Sequence, residues 1–119
     1  QVSSRNRADD GLIAQLLEEH REPVGVFCYH DLIAAQLYRV CRSLGRRIPQ
    51  DVGIVGFDDL SSATNLSPSL TTVQYRIASM ADMTVKLMID CIQNPDTPYD
   101  NYYVEPNLVI RESSLLSGH

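Results

Sequence analysis

The sequence predicts an α/β fold with a mainly parallel sheet, and three observations carry that expectation. Residues 24–29 and 52–57 are short, continuous, β-prone apolar runs, the pattern of parallel strands buried on both faces. Between them Ile33, Leu37, Val40, Cys41 and Leu44 recur at helical spacing, and Gly45 supplies a stop. Residues 24–57 therefore read as one β-α-β unit, whose crossover is expected to be right-handed.

The remaining elements follow in order. Asp9 or Asp10 can cap a first helix carrying Leu12, Ile13, Leu16 and Leu17, which Pro23 stops. Asp31 sits where the N-cap of the second helix belongs, and Asp59 could cap a short turn near residues 60–65. Leu70-Thr-Thr-Val73 reads as a third strand after Pro68. Ile77, Met80, Thr84, Leu87, Met88 and Cys91 mark an amphipathic helix of about four turns. Residues 94–101, with Pro95 and Pro98, form a loop. Residues 103–110 are a last extended segment, interrupted by Pro106 and hence expected at a sheet edge.

Composition narrows the function classes. The 119 residues suit one modest domain, and 44% hydrophobic with 21% charged residues is ordinary for a globular chain. No apolar run approaches the roughly 20 residues that cross a bilayer, and residues 1–10 lack a signal pattern, so the expectation is a cytoplasmic protein with no membrane partner. A net charge of −5 argues against this chain gripping DNA by itself. Arg39, Arg42, Arg46 and Arg47 gather at a helix end, where cations complement the dipole. Cys28, Cys41 and Cys91 form no CxxC pair and read as small buried hydrophobes. Cys28 and His30 alone are a weak metal signal, so no metal and no cofactor are expected.

Ligands of a parallel sheet meet the loops at the carboxyl ends of its strands. That edge receives Tyr29-His30-Asp31 from one loop and Asp58-Asp59 from the other. Carboxylates accept hydroxyl hydrogens strongly and suit the vicinal diols of a sugar. Tyr29 or Tyr75 could cover a sugar's apolar face. Asp31 and Asp59 each have a capping role as an alternative, and His30 could be a plain loop residue. Asp58 has no such structural duty and is the leading candidate for a ligand contact. Tyr102 and Tyr103 read as packing.

Four motifs stand in order across residues 24–113. They are Phe27-Cys-Tyr-His-Asp-Leu-Ile-Ala-Ala35, Arg47-Ile-Pro-Gln-Asp-Val-Gly-Ile-Val-Gly-Phe-Asp-Asp59, Leu66-Ser-Pro-Ser-Leu-Thr-Thr-Val73 and Glu105-Pro-Asn-Leu-Val-Ile-Arg-Glu-Ser113. Together they resemble the lactose-repressor/galactose-repressor family of transcription regulators. The resemblance implies the C-terminal part of a periplasmic-binding-protein-like type I effector domain, three-layered, spanning residues 1–119. It also implies a DNA-binding headpiece and an N-terminal subdomain that this chain does not contain. Asp58 matches the position that binds effector hydroxyls in the family. His30 stands where the family carries a contacting Asn, which changes the geometry offered there. Tyr75 falls where the family crosses between subdomains.

Further expectations follow from the resemblance. The effector would be a small sugar, arabinose-like features being present in the Cys-Tyr-x-Asp segment. The protein would form a homodimer through Ala35, Tyr38, Arg39 and Leu66. DNA would be contacted only through the missing headpiece. The apolar stripe of Ile77, Met80, Leu87, Met88 and Cys91 would need cover from the absent subdomain or from a second chain.

Rival classes fit less well. A phosphoacceptor receiver needs a lysine at a late strand end, and the only lysine is Lys86, inside the last long helix. A hydrolase built on His30, Asp58 and Ser61 or Ser62 lacks a Gly-x-Ser-x-Gly elbow. A periplasmic sugar-binding protein shares the expected fold and is the nearest alternative. No enzyme activity is expected.

Overall fold

The computed structural model describes residues 9–116, so most of the polar stretch at residues 1–10 lies outside the described residues. The chain divides into two compact units. One runs to Gln74 and resumes at Leu108, and the other is Tyr75–Asn107.

The first unit opens with helix α1, Asp10–Glu19, whose N-cap Asp9 accepts from the Gly11 amide. Strand β1, Val24–Phe27, leads to helix α2, Asp31–Ser43, and then to β2, Val52–Phe57. Gly45 turns the chain after α2 at φ +67, a conformation that costs glycine little. A short 3-10 turn, Ser61–Asn65, precedes β3, Thr71–Gln74. Strand β4, Asn107–Val109, and a final 3-10 turn, Glu112–Ser114, close the unit. The sheet order is β1-β2-β3-β4, with β1 parallel to β2 and β2 parallel to β3. The mainly parallel α/β class is what forms, and β4 lies at the edge as its proline suggested.

The core gathers Leu37, Val40 and Cys41 of α2 against Val52 and Ile54 of β2, with Leu17, Cys28, Ala63 and Leu70 around them. Three sequence expectations need correction. Strand β1 is not buried on both faces: it is the sheet's other edge, its burial alternates, and Phe27 is 64% exposed. Leu12 and Leu16 are exposed, because α1 rests on the core through the narrower side of Ile13, Ala14 and Leu17. Cys28 and Cys41 are buried as expected, but Cys91 is only half-buried.

The arginine group has more specific work than complementing a dipole. Arg46 donates to the carbonyls of Leu17 and His20 at 3.4 and 3.0 Å, tying the end of α1 to the turn after α2. Arg47 forks onto Asp51 at 2.9 and 3.0 Å, fixing the approach to β2. In the second unit, helix α3 spans Ile77–Gln93 and none of its residues is buried, Ile77, Met80 and Met88 included.

Candidate effector site

The site grows from the carboxyl ends of β1 and β2. His30, not Asp31, is the N-cap of α2: its Nδ1 accepts from the Leu32 amide at 3.2 Å. That bond decides the tautomer of the neutral ring, since an accepting Nδ1 leaves the hydrogen on Nε2. Nε2 lies 3.0 Å from Asp58 Oδ2, at ion-pair distance. Asp58 Oδ2 thus has His30 beside it, and no contact to Oδ1 is seen among the described residues. The Asp58 side chain is 13% exposed.

Asp58 and Asp59 both lie in the left-handed region, at φ 106 and 52. Two successive non-glycine residues there are uncommon, and such strain persists only where the surroundings over-determine it. The surroundings do so here. The Asp58 amide donates to the Val73 carbonyl at 2.9 Å. Asp59 Oδ1 accepts from Arg111 Nη2 at 2.7 Å and Oδ2 from Gln74 Nε2 at 2.8 Å. Asp59 therefore does not cap the 60–65 turn; Leu60 holds that position without a side-chain bond.

Asp31 does a different job from the one its position suggested. It is 1% exposed, and both oxygens are occupied. Oδ1 accepts from Thr72 Oγ1 at 2.7 Å and Oδ2 from the Leu60 amide at 2.8 Å. Its carboxylate turns inward and ties the start of α2 to β3 and to the loop leaving β2, so it is a positioning group and not an exposed contact. Gly56 makes this possible, because a Cβ there would collide with Asp31 Oδ1. The paired threonines of β3 are explained in the same way. Thr72 serves Asp31, and Thr71 Oγ1 accepts from the Arg111 amide and donates to the Arg111 carbonyl.

His30 and Asp58 are thus brought together, with Tyr29 exposed beside them in the same loop. Tyr75 opens the second unit and belongs with it. Arg111, Gln74, Thr72 and Gly56 escaped the sequence reading of the site. An arginine inside an apolar closing motif and two threonines in a strand were the available signals. No group of three or more His, Cys, Asp or Glu among the described residues could hold a metal ion.

A separate groove of about 600 Å³ lies away from this edge, between α2 and residues 65–67. Ala35, Tyr38, Arg39 and Leu66, the four residues expected to mediate assembly, all line it, together with Arg42 and Ile48. Burial pushes the Tyr38 phenol up to about 12; Ser113 works against that shift, but its hydroxyl is already engaged with Thr71 and Ile54.

The family follows from the sequence match, which covers residues 1–114 with the periplasmic binding protein-like domain. The chain belongs to that family. It is similar to the ribose operon repressor of Haemophilus influenzae, at 39% identity over 85% of this chain and 30% of the relative. The transcriptional repressor PurR of Aliivibrio fischeri is 26% identical over 95% of the chain and 33% of its own length. The chain thus spans about a third of the curated relatives it matches. Among solved structures, a LacI family regulator from Enterococcus faecium with bound ribose has a TM-score of 0.75 at 30% identity, covering 88% of this chain and 38% of that one. The CelR regulator in complex with cellobiose reaches 0.79 at 31% identity, covering 88% of this chain and 32% of that one. The motif resemblance to the lactose-repressor/galactose-repressor family is met by sequence and fold together.

Proposed function

We propose that this chain is the C-terminal part of the effector-binding domain of a LacI-type transcription regulator, and that its effector is a small sugar. The observation that carries the reading is the His30–Asp58 pair at the carboxyl ends of two parallel strands. The pair leaves one Asp58 oxygen for a ligand hydroxyl. Relatives with bound ribose and cellobiose support a sugar over other polyols. Tyr29, exposed in the same loop, supplies the aromatic surface that a sugar ring stacks on.

The pair works by preorganisation. His30 holds Asp58 at a fixed rotamer, so a sugar hydroxyl meets an acceptor already aimed and already desolvated on one side. In the full-length regulator, effector binding would favour a closed arrangement of two subdomains, and that population shift would change DNA affinity at a distance. DNA contact belongs to a headpiece outside this chain, which agrees with the net charge of −5. No described helix is long and apolar enough to cross a membrane, and a regulator of DNA works in the cytoplasm.

Hydrolysis is disfavoured by the same geometry. The Nδ1 of His30 accepts from a backbone amide and Nε2 faces Asp58, so neither nitrogen is left to take a proton from Ser61 or Ser62. Assembly is the second part of the proposal. The groove lined by Ala35, Tyr38, Arg39 and Leu66 is the surface of a symmetric homodimer, in which each copy presents the same patch. Thermal-shift screening of the full-length protein against D-ribose, L-arabinose, D-xylulose and cellobiose tests the effector reading. A rise in melting temperature with at least one sugar is expected. No rise with any of them, alongside a rise with a nucleobase, would replace the sugar with a purine-type effector.

A further inference from the structure

The left-handed pair Asp58-Asp59 is held from one side by a residue far along the chain. Arg111 follows β4, and its side chain is 18% exposed. One arm, Nη2, donates to Asp59 Oδ1 at 2.7 Å, while Nη1 donates to the Leu70 carbonyl at 2.9 Å. The fork therefore bridges the loop leaving β2 to the entry of β3. Its own backbone is fixed as firmly. The Arg111 amide donates to Thr71 Oγ1 at 2.8 Å, and Thr71 Oγ1 donates to the Arg111 carbonyl at 2.9 Å. Two residues on, Ser113 Oγ accepts from the Thr71 amide at 2.8 Å and donates to the Ile54 carbonyl at 2.6 Å. Residues 111–113 are bolted across two strands, and the guanidinium extends from that anchor.

With Gln74 on its second oxygen, both Asp59 oxygens are already engaged by protein donors. Its carboxylate instead fixes a backbone at φ 52, and that backbone sets the direction in which the preceding residue, at φ 106, projects its side chain. We propose that Arg111 is a positioning residue of the effector site, gripping Asp59 and so aiming the Asp58 carboxylate at the ligand hydroxyl. The inference rests on the effector reading above and adds to it a residue that touches no ligand. A lysine would not substitute fully, because one ammonium cannot serve the carboxylate and the Leu70 carbonyl in the same planar fork.

The test is a double-mutant cycle in the full-length protein, with D-ribose as the probe in calorimetry and melting temperature recorded for each variant. Asp58→Asn retains a hydrogen-bonding group, so its weakened affinity stays measurable. Arg111→Met should weaken D-ribose binding on the order of tenfold beside native Asp58, and by less than about twofold beside Asp58→Asn. Its effect on melting temperature should be the same in both backgrounds. Arg111→Lys should fall between arginine and methionine. Equal losses of affinity in the two backgrounds would make Arg111 merely structural and overturn the proposal. Unchanged affinity in Arg111→Met, with Asp58→Asn impaired, would overturn it while leaving the effector reading intact. Native binding that Asp58→Asn does not weaken, or no native binding of D-ribose or of the other three sugars screened above, would remove the effector reading and this inference with it. Where Arg111→Met does not fold, Gln74→Leu, which strips the other oxygen of Asp59, should show the same dependence on Asp58.

Discussion

Replacing Asp31 by asparagine separates its role from that of Asp58. The carboxylate accepts two charge-assisted hydrogen bonds, from Thr72 Oγ1 at 2.7 Å and from the Leu60 amide at 2.8 Å, in a site that is 1% exposed. Such bonds contribute roughly 1.5–3 kcal/mol each, so the pair is worth roughly 3–6 kcal/mol. An amide of the same shape retains both contacts only at neutral strength, about 1–3 kcal/mol together, and must turn a donor toward the threonine. The expected loss is the difference, about 2–3 kcal/mol of folding stability. Against a urea slope near 2 kcal/mol per molar this moves the unfolding midpoint down by about 1 M. Urea unfolding followed by circular dichroism reads it directly, and an unchanged slope shows that the loss is in stability. A midpoint within about 0.2 M of native would refute the reasoning, because the carboxylate would then not be what ties α2 to β3.

Three further outcomes follow from the same geometry. Gly56→Ala should destabilise by about 1–3 kcal/mol, because the added methyl meets Asp31 Oδ1 and approaches Leu70 Cδ2 to 3.0 Å. The loss should shrink in an Asp31→Ala background, and equal losses in chemical unfolding would show that the collision is not with Asp31. The Glu112 carboxylate accepts from the Ser69 amide and hydroxyl, which lowers its pKa below the ordinary 4.5. A lowered folded-state pKa contributes stability above the unfolded value and loses it as pH falls through the folded one, so Glu112→Gln should melt earlier than native at neutral pH, and the difference should vanish once the pH is below the folded-state value. A difference that persists in acid would contradict that linkage. Leu66→Asp, placing a charge in the proposed assembly groove, should convert dimers to monomers in light scattering; native protein that is already monomeric would remove the assembly proposal.

Much of the fold could be read from residue pattern alone. The run at residues 52–57 forms β2 at those bounds, Asp9 caps α1 and Gly45 turns the chain after α2, whereas only 107–109 of the extended segment 103–110 is strand. What failed was exposure. A run such as 24–29 is apolar whether its strand is central or at an edge, and only the sheet order decides. The site was legible in part for a related reason. Asp58 could be singled out because it ends a strand with no capping duty, but its partner His30 was reached through a loop, and the swap of cap from Asp31 to His30 depends on an interior bond to Thr72. That bond spans 41 residues of sequence, and Arg111 to Asp59 spans 52. No local spacing rule connects residues so far apart. The paired threonines of β3 carried the clue, since two hydroxyls in a buried strand must each find a partner.

The central claim, that Asp58 presents an acceptor to a sugar hydroxyl, is tested most directly by calorimetric titration of the full-length regulator and its Asp58→Ala variant with the sugar that raises the melting temperature most. Loss of one charge-assisted hydrogen bond of about 1.5–3 kcal/mol predicts affinity weaker by roughly 10–150-fold. The fold should persist in circular dichroism, since among the described residues the Asp58 carboxylate is paired with His30 alone. Affinity equal to that of the native protein in the folded variant would contradict the account.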